Sequence, residues 1–337
     1  MRVLVTGGAG FIGSHVAEHL LSLGHDVVVL DDLSGGTAQN IPRGAHFVHG
    51  DVCDAAVVDA LFAEHRFDVV YHLAAYAAEG LSHFIRRFNY TNNVIGSVTL
   101  VNAAINAGTR RMVFTSSIAV YGANHLPLTE DLTPRPEDPY GIAKLAVELD
   151  LASAARVFGL EFVIFRPHNV YGERQHIADP YRNVVGIFMK CLLDGRPLPV
   201  FGDGSQTRAF SYIGDVAPIV ARAGFEPAAR NEIFNVGADT PVTVTDLATE
   251  VCRVFGHPVQ IDRQPERHEV KHAFSNHDKV RRVFGVTPPT PLADGLTRMA
   301  DWVRRVDAGP IPRFEAIEIR RQLPPSWAAL AKPGRST

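Results

Sequence analysis

Cysteine is scarce in this 337-residue chain: Cys53, Cys191 and Cys252 are the only three, widely spaced and in no CxxC pair. That argues against a disulfide framework and fits a reducing compartment. No apolar run approaches the roughly 18 residues that a membrane-spanning helix needs. The amino-terminal MRVLVTGGAG is interrupted by glycines before it could form the apolar part of a signal leader. Neither charge sign dominates: 33 Lys and Arg stand against 36 Asp and Glu, which gives no footprint for nucleic acid or an anionic membrane. Internal repeats and low-complexity runs are also missing. The expectation is a cytoplasmic protein without nucleic-acid or membrane partners.

What is present is an ordinary globular composition, 46% hydrophobic and 20% charged, long enough for two domains or a large one with a smaller cap. Short continuous apolar runs alternate with amphipathic stretches through the first half. Strands are expected at Val3–Val5, Asp26–Leu30, His46–Val48, Val69–Leu73, Met112–Thr115 and Phe162–Phe165. Helices are expected over Phe11–Leu23, Asp54–His65, Phe88–Ala107 and Pro139–Phe158. Strands apolar on both faces, alternating with helices, predict an α/β fold: a doubly wound parallel Rossmann sheet. The alternation fails near residue 170. This divides the chain into a dinucleotide-binding domain over 1–170, to which some later segments return, a smaller C-terminal substrate-binding domain over 171–307 and a tail over 308–337. The tail, with Phe314, Ile317, Ile319 and Trp327, is expected to pack on the surface or on a partner chain.

Thr6–Gly13 reads TGGAGFIG between the first strand and the first helix. A tight turn needs residues that tolerate positive φ, and a pyrophosphate needs backbone without Cβ beside a helix N-terminus. Such a turn also occurs without a ligand; the strand–turn–helix context favours a dinucleotide. Asp31 ends the second strand, where a carboxylate bonds ribose hydroxyls and repels a 2′-phosphate. Asp32 follows with no Lys or Arg beside it, so NAD is expected over NADP. Asp51 and Val52, after the third strand, are placed for the adenine.

Tyr140 and Lys144 stand four apart at the start of a helix, on one face. A phenol with an unperturbed pKa near 10 is a poor base at neutral pH; a neighbouring ammonium and the positive ring of a nicotinamide are expected to hold it ionised. Tyr-x-x-x-Lys is common as a surface pair, but here Thr115-Ser116-Ser117 closes the fifth strand at the ligand-binding edge, where a serine can share the substrate oxygen with Tyr140.

Together TGGAGFIG, His72-Leu-Ala-Ala75, Asn93-x-x-Gly96, Ser116-Ser117-x-x-Val120-Tyr121-Gly122, Tyr140-x-x-x-Lys144, Arg166-Pro-x-Asn169-Val-Tyr-Gly172, Phe201-Gly-Asp-Gly204, Thr207-Arg208 and Asn235-Val-Gly237 resemble the extended short-chain dehydrogenase/reductases, close to the UDP-glucose 4-epimerases. The resemblance spans about residues 1–307. It implies reversible hydride transfer at C4 of a UDP-sugar through a 4-keto intermediate, with Ser117, Tyr140 and Lys144 catalytic. It implies NAD held by Gly7, Gly10, Phe11, Ile12, Gly13, Asp31, Asp32, Asp51, Val52, Leu73, Ala74, Ala75, Asn93, Ser116, Tyr140 and Lys144. Substrate contacts would come from Ser117, Asn169, Asn183, Val200, Phe201, Arg208 and Arg267, and a homodimer from the helices near 88–107 and 140–158.

Three departures bear on the reaction. Relatives that eliminate water across C4–C6 carry an Asp-Glu pair where this chain has Ile118 and Ala119, neither a proton donor. Arg267 lies one position off the family's late arginine, and Ala78-Glu79-Gly80 differs from the usual loop over the sugar. His268-Glu269-Val-Lys-His272 spells the zinc-protease HExxH, yet nothing around it predicts the long helix that motif needs, so no metal is expected. Another nucleotide-sugar redox reaction, such as decarboxylation or reduction, and a non-catalytic NAD sensor stay open as alternatives.

Overall fold

The computed structural model describes residues 1–267, 270–285, 288–306 and 317–330; His268, Glu269 and Phe314 lie outside the described residues. Six strands fall where the apolar runs place them: β1 (Arg2–Thr6), β2 (Asp26–Asp31), β3 (His46–His49), β4 (Val69–His72), β5 (Arg111–Thr115) and β6 (Glu161–Pro167). A seventh, Glu232–Val236, joins the edge beside β6. The order across the sheet is Glu232–Val236, β6, β5, β4, β1, β2, β3, and every pairing is parallel. The doubly wound parallel sheet expected from the alternation is therefore present.

The continuous apolar character of these strands has a direct cause. Successive residues point to opposite faces, and both faces are covered. Val3, Val5, Val27, Val29 and Tyr71 pack with Val16 and Leu20 of α1 (Phe11–Ser22) and with Val216 and Val220 of the Ile213–Ala223 helix. Leu4, Val28, Val70, Met112 and Phe114 pack on the other side with Val58 and Leu61 of α2 (Ala55–Glu64) and with Leu100, Val147 and Leu151. Local signals set the helix ends. Asp54 accepts hydrogen bonds from the backbone of Ala56 and Val57 to start α2. Asp138 caps the Pro139–Phe158 helix at Gly141, Pro139 fills its first turn, and Gly159 in the left-handed region ends it.

The helix expected over 88–107 starts at Arg86 and runs in three pieces: Arg86–Tyr90, a π turn at Thr91–Ile95 and Gly96–Asn106. The π turn contains Asn93, whose side chain bonds the backbone of Tyr76.

Beyond residue 170 the chain alternates between two tasks. The Ile213–Ala223 helix and the Glu232–Val236 strand join the large sheet. The remaining strands make small sheets: Val170–Tyr171 with Ser211–Tyr212, Thr207–Ala209 with Pro241–Thr243 and His272–Ala273, and Leu198–Phe201 with Ile261–Gln264. Among the described residues no helix is long and apolar enough to cross a membrane.

Candidate active site

Strand order reverses between β1 and β4, and there a cleft of about 1410 Å³ opens at the carboxyl ends of the strands, the position ligands take in open α/β sheets. A single small ligand occupies roughly 300–1,000 Å³, so this cleft has room for two molecules end to end.

One end is the glycine turn. Gly7, at φ +70°, reverses the chain after β1. A Cβ on Gly13 would stand 2.1 Å from the Gly7 carbonyl oxygen, so only glycine lets α1 begin this close to the sheet. Gly10 is the helix N-cap, without a capping side chain and without an acid in the first turn. Gly10, Phe11, Ile12 and Gly13 thus present the start of a helix to the cleft, an arrangement that attracts anions.

Asp31 is buried at the end of β2. Its carboxylate accepts from the Ala9 N–H at 3.0 Å and the Leu33 N–H at 2.8 Å. Burial raises its pKa and these donors oppose the rise. An ionised carboxylate offers about four acceptor positions, so two hydroxyls can still be received. Asp32 bonds the backbone and hydroxyl of Ser34, shaping the turn beside it. Asp51 and Val52 line the same end, as do Leu73, Ala74 and Ala75 after β4. Asn93 does not fit the cofactor contact expected of it. It is buried outside the cleft lining, its amide used by the N–H and C=O of Tyr76 and by Asn89. It therefore fixes the 73–76 loop from behind.

At the centre, Tyr140, Lys144 and Glu148 form one buried stripe at four-residue intervals on the Pro139–Phe158 helix. Ser117 lies close enough to the Tyr140 hydroxyl to lower its pKa. Ser117 starts the short turn Ile118–Tyr121, where its oxygen accepts from the Ala119 N–H at 3.1 Å. The Lys144 ammonium donates to the Thr115 carbonyl at 2.8 Å and lies 5.8 Å from the Tyr140 ring centre. Of the two charges expected to ionise the phenol, the chain itself supplies the Lys144 ammonium. Burial pushes the Tyr140 pKa up, Ser117 opposes it, and Glu79 and Asp138 raise it further. Burial also brings Lys144 down to about 7, against the pull of Glu148. A second positive charge must enter the cleft before the phenol ionises readily. Ser116 faces the cleft but donates its hydroxyl to Glu148 at 2.5 Å.

Toward the other end lie Asn169, at φ +42°, and Asn183, at φ +65°, the latter capping the Val184–Leu193 helix. Arg208 is steadied by the carbonyls of Thr207, Val270 and Lys271. Phe201 lines the wall, and the Arg267 guanidinium lies 3.6 Å from its ring centre. Val200 is a correction. It is fully buried in the core while its neighbours Pro199 and Phe201 face the cleft, because side chains alternate along Leu198–Phe201. Glu79, in the loop expected over the sugar, lines the cleft; the sequence reading missed Tyr181 and Arg182, and the wall made by the 319–330 segment. That segment packs on its own chain, over the cleft. His272, the described histidine of the HExxH string, bonds Thr207 in a two-residue strand. Among the described residues no three His, Cys, Asp or Glu side chains gather around a metal position.

Comparison with known proteins gives a consistent picture. Residues 3–237 match the model of the NAD dependent epimerase/dehydratase family. A UDP-glucose 4-epimerase of Mycolicibacterium smegmatis is 38% identical over 314 residues, covering 90% of this chain and 99% of that protein. A crystal structure of the Thermus thermophilus UDP-glucose 4-epimerase in complex with NAD superposes with a TM-score of 0.86, at 34% identity over 91% of this chain and all of that one. The Thermotoga maritima UDP-glucose 4-epimerase with UDP-glucose gives 0.84, at 34% identity over 90% and 99%.

Proposed function

Because the chain belongs to the NAD dependent epimerase/dehydratase family, we propose that it is an NAD-dependent enzyme that inverts C4 of a UDP-hexose of the glucose/galactose type. The observation that carries the reading is the meeting, in one cleft, of an uncapped helix N-terminus, the Asp31 carboxylate and a buried Tyr140 beside Ser117 and Lys144. The residues fit NAD: the turn at Gly7–Gly13 is a cradle that a Cβ would fill, and Asp31 has acceptor capacity for both hydroxyls of an adenosine ribose. Bound there, NAD supplies a group that takes and returns a hydride, with a positive ring.

The chain's own residues do the rest. Tyr140 is placed to take the proton from the sugar O4 and later give it back. Ser117 hydrogen-bonds the same oxygen and fixes its angle of approach. Lys144 holds positive charge beneath the phenol and hydrogen-bonds the cofactor's ribose. Asn169, Asn183, Arg208 and Arg267 hold the diphosphate and Phe201 the uridine end, by amide, guanidinium and ring contacts suited to those groups. Elimination of water, the other reaction in the family's name, is disfavoured because the two positions that follow Ser117 hold Ile118 and the buried Ala119, neither of them an acid.

The test is incubation of purified protein with UDP- and dTDP-sugars, no cofactor added, with products followed by NMR. C4 inversion of a UDP-hexose is expected. Release of carbon dioxide, or a stoichiometric demand for NADPH, overturns the reading. Asp31→Asn should weaken NAD binding about tenfold or more, the scale of hydrogen bonds to a charged group, and narrow the preference over NADP. Titration of the cofactor-stripped protein with both dinucleotides measures this.

A second copy of the chain is proposed as partner. Ile142, Leu149 and Val157 form one stripe on the Pro139–Phe158 helix, and Ile95 lies on the adjacent Thr91–Ile95 turn; Leu149 and Val157 are 64% and 65% exposed. An apolar stripe of this size calls for cover. Leu149→Glu should give a monomer by light scattering where the parent chain gives a dimer.

A further inference from the structure

The 317–330 segment is tied to the rim of the cleft at both of its ends. Glu318 accepts from the backbone N–H groups of Arg87 and Phe88 at 2.9 Å, while the N–H groups of Glu318 and Ile319 donate to the Phe84 carbonyl. At the other end Trp327 is 3% exposed. Its indole meets Tyr181 edge-on at 5.5 Å and Phe84 at 6.2 Å. A Cβ on Gly80 would lie 3.2 Å from the indole Cη2, so glycine in the Glu79–Ser82 turn admits the ring. The same indole lies 5.2 Å from the Arg267 guanidinium, which also sits over the Phe201 ring at 3.6 Å.

A guanidinium in contact with two aromatic rings keeps its charge and loses rotational freedom. Arg267 lines the cleft together with Arg208, Asn169 and Asn183. Resting on the nucleotide-sugar reading above, we infer that the C-terminal segment is part of the substrate site and that Trp327 is a positioning residue. Its indole clamps Arg267 as counter-charge for the diphosphate of a nucleoside diphosphate sugar and walls the cleft against Gly80. The one-position displacement of the arginine is thereby compensated by an aromatic partner from the far end of the chain.

The experiment is calorimetric titration of the NAD-loaded enzyme with UDP and with UMP, alongside steady-state kinetics. Trp327→Leu keeps apolar bulk and removes the ring face. It should weaken UDP binding about tenfold, the upper range for a desolvated cation–ring contact, and raise KM in parallel with kcat nearly unchanged. UMP, with one phosphate fewer, should lose less. Trp327→Phe should restore most of the affinity, and in an Arg267→Met background Trp327→Leu should add little. Equal losses for UDP and UMP, a UDP affinity within twofold of the parent, or an undiminished effect in the Arg267→Met background each overturn the inference. Binding is read without turnover, so the two readings fail separately. A parent chain that binds no UDP sinks the functional reading as well, whereas a parent that binds UDP no better than Trp327→Leu sinks only the role of Trp327.

Discussion

Tyr140→Phe is expected to yield a folded, NAD-loaded protein whose kcat falls by about 10²–10⁴-fold, the range for loss of a positioned acid–base group. The substitution removes one oxygen and leaves the ring, so packing in the buried stripe of Tyr140, Lys144 and Glu148 survives. Lost with the oxygen is the hydroxyl that this helix presents beside Ser117. KM should move little, because the residues proposed to hold the diphosphate lie elsewhere in the cleft. Single-turnover kinetics by NMR or by absorbance of the reduced cofactor measure the effect. A rate within tenfold of the parent would remove Tyr140 from its assigned role. Ser117→Ala should cost less than Tyr140→Phe, since a serine that orients the oxygen carries no proton away.

The second large effect is on stability. Glu148 and Arg166 are a buried pair, each about 3% exposed at the side chain. The carboxylate accepts from Arg166 Nε at 3.0 Å and Nη2 at 2.6 Å, and from the Ser116 hydroxyl. Arg166 in turn lies 4.6 Å over the Tyr121 ring, whose hydroxyl donates to Asn235 on the edge strand. Glu148→Ala strands a guanidinium in the interior and should cost about 3–5 kcal/mol. Urea denaturation should show a lower midpoint at unchanged slope. Replacing both partners with methionine should cost less than replacing Glu148 alone, because no unpaired charge is left behind. Glu148 also supports the charge on Lys144, so activity should fall further than stability alone explains. A Glu148→Ala protein within about 1 kcal/mol of the parent would contradict the burial argument.

The strands of the sheet, the glycine turn, Asp31 and the Ser117–Tyr140–Lys144 set could be read from the sequence because each is local. A buried strand shows itself in four consecutive apolar residues, and a helix places residues four apart on one face without help from the rest of the fold. Other features depend on the fold around them. Glu232–Val236 becomes a sheet strand only because β6 has an open edge beside it, and its five residues include Glu and Asn. Val200 and Phe201 are adjacent in sequence, and which of them faces the cleft depends on the register of a four-residue strand. Asn93 is polar and near the cofactor turn, yet its amide is claimed by the Tyr76 backbone. Trp327 sits on a four-residue helix with no periodicity to read. The depth of burial of Tyr140 escapes the sequence for a related reason: spacing reveals the lysine on the same face and not how much chain closes over the pair.

The polypeptide leaves the large sheet after β6, returns for the Ile213–Ala223 helix and the Glu232–Val236 strand, departs again to pair Pro241–Thr243 with Thr207–Ala209, and comes back at Phe284, which packs on Phe165 and Phe234. Two bodies stitched by so many crossings have no single linker about which to swivel. Whatever widening admits a nucleotide sugar must be shared as small sliding displacements over several connections, which favours a mouth that yields at its rim over one that swings open.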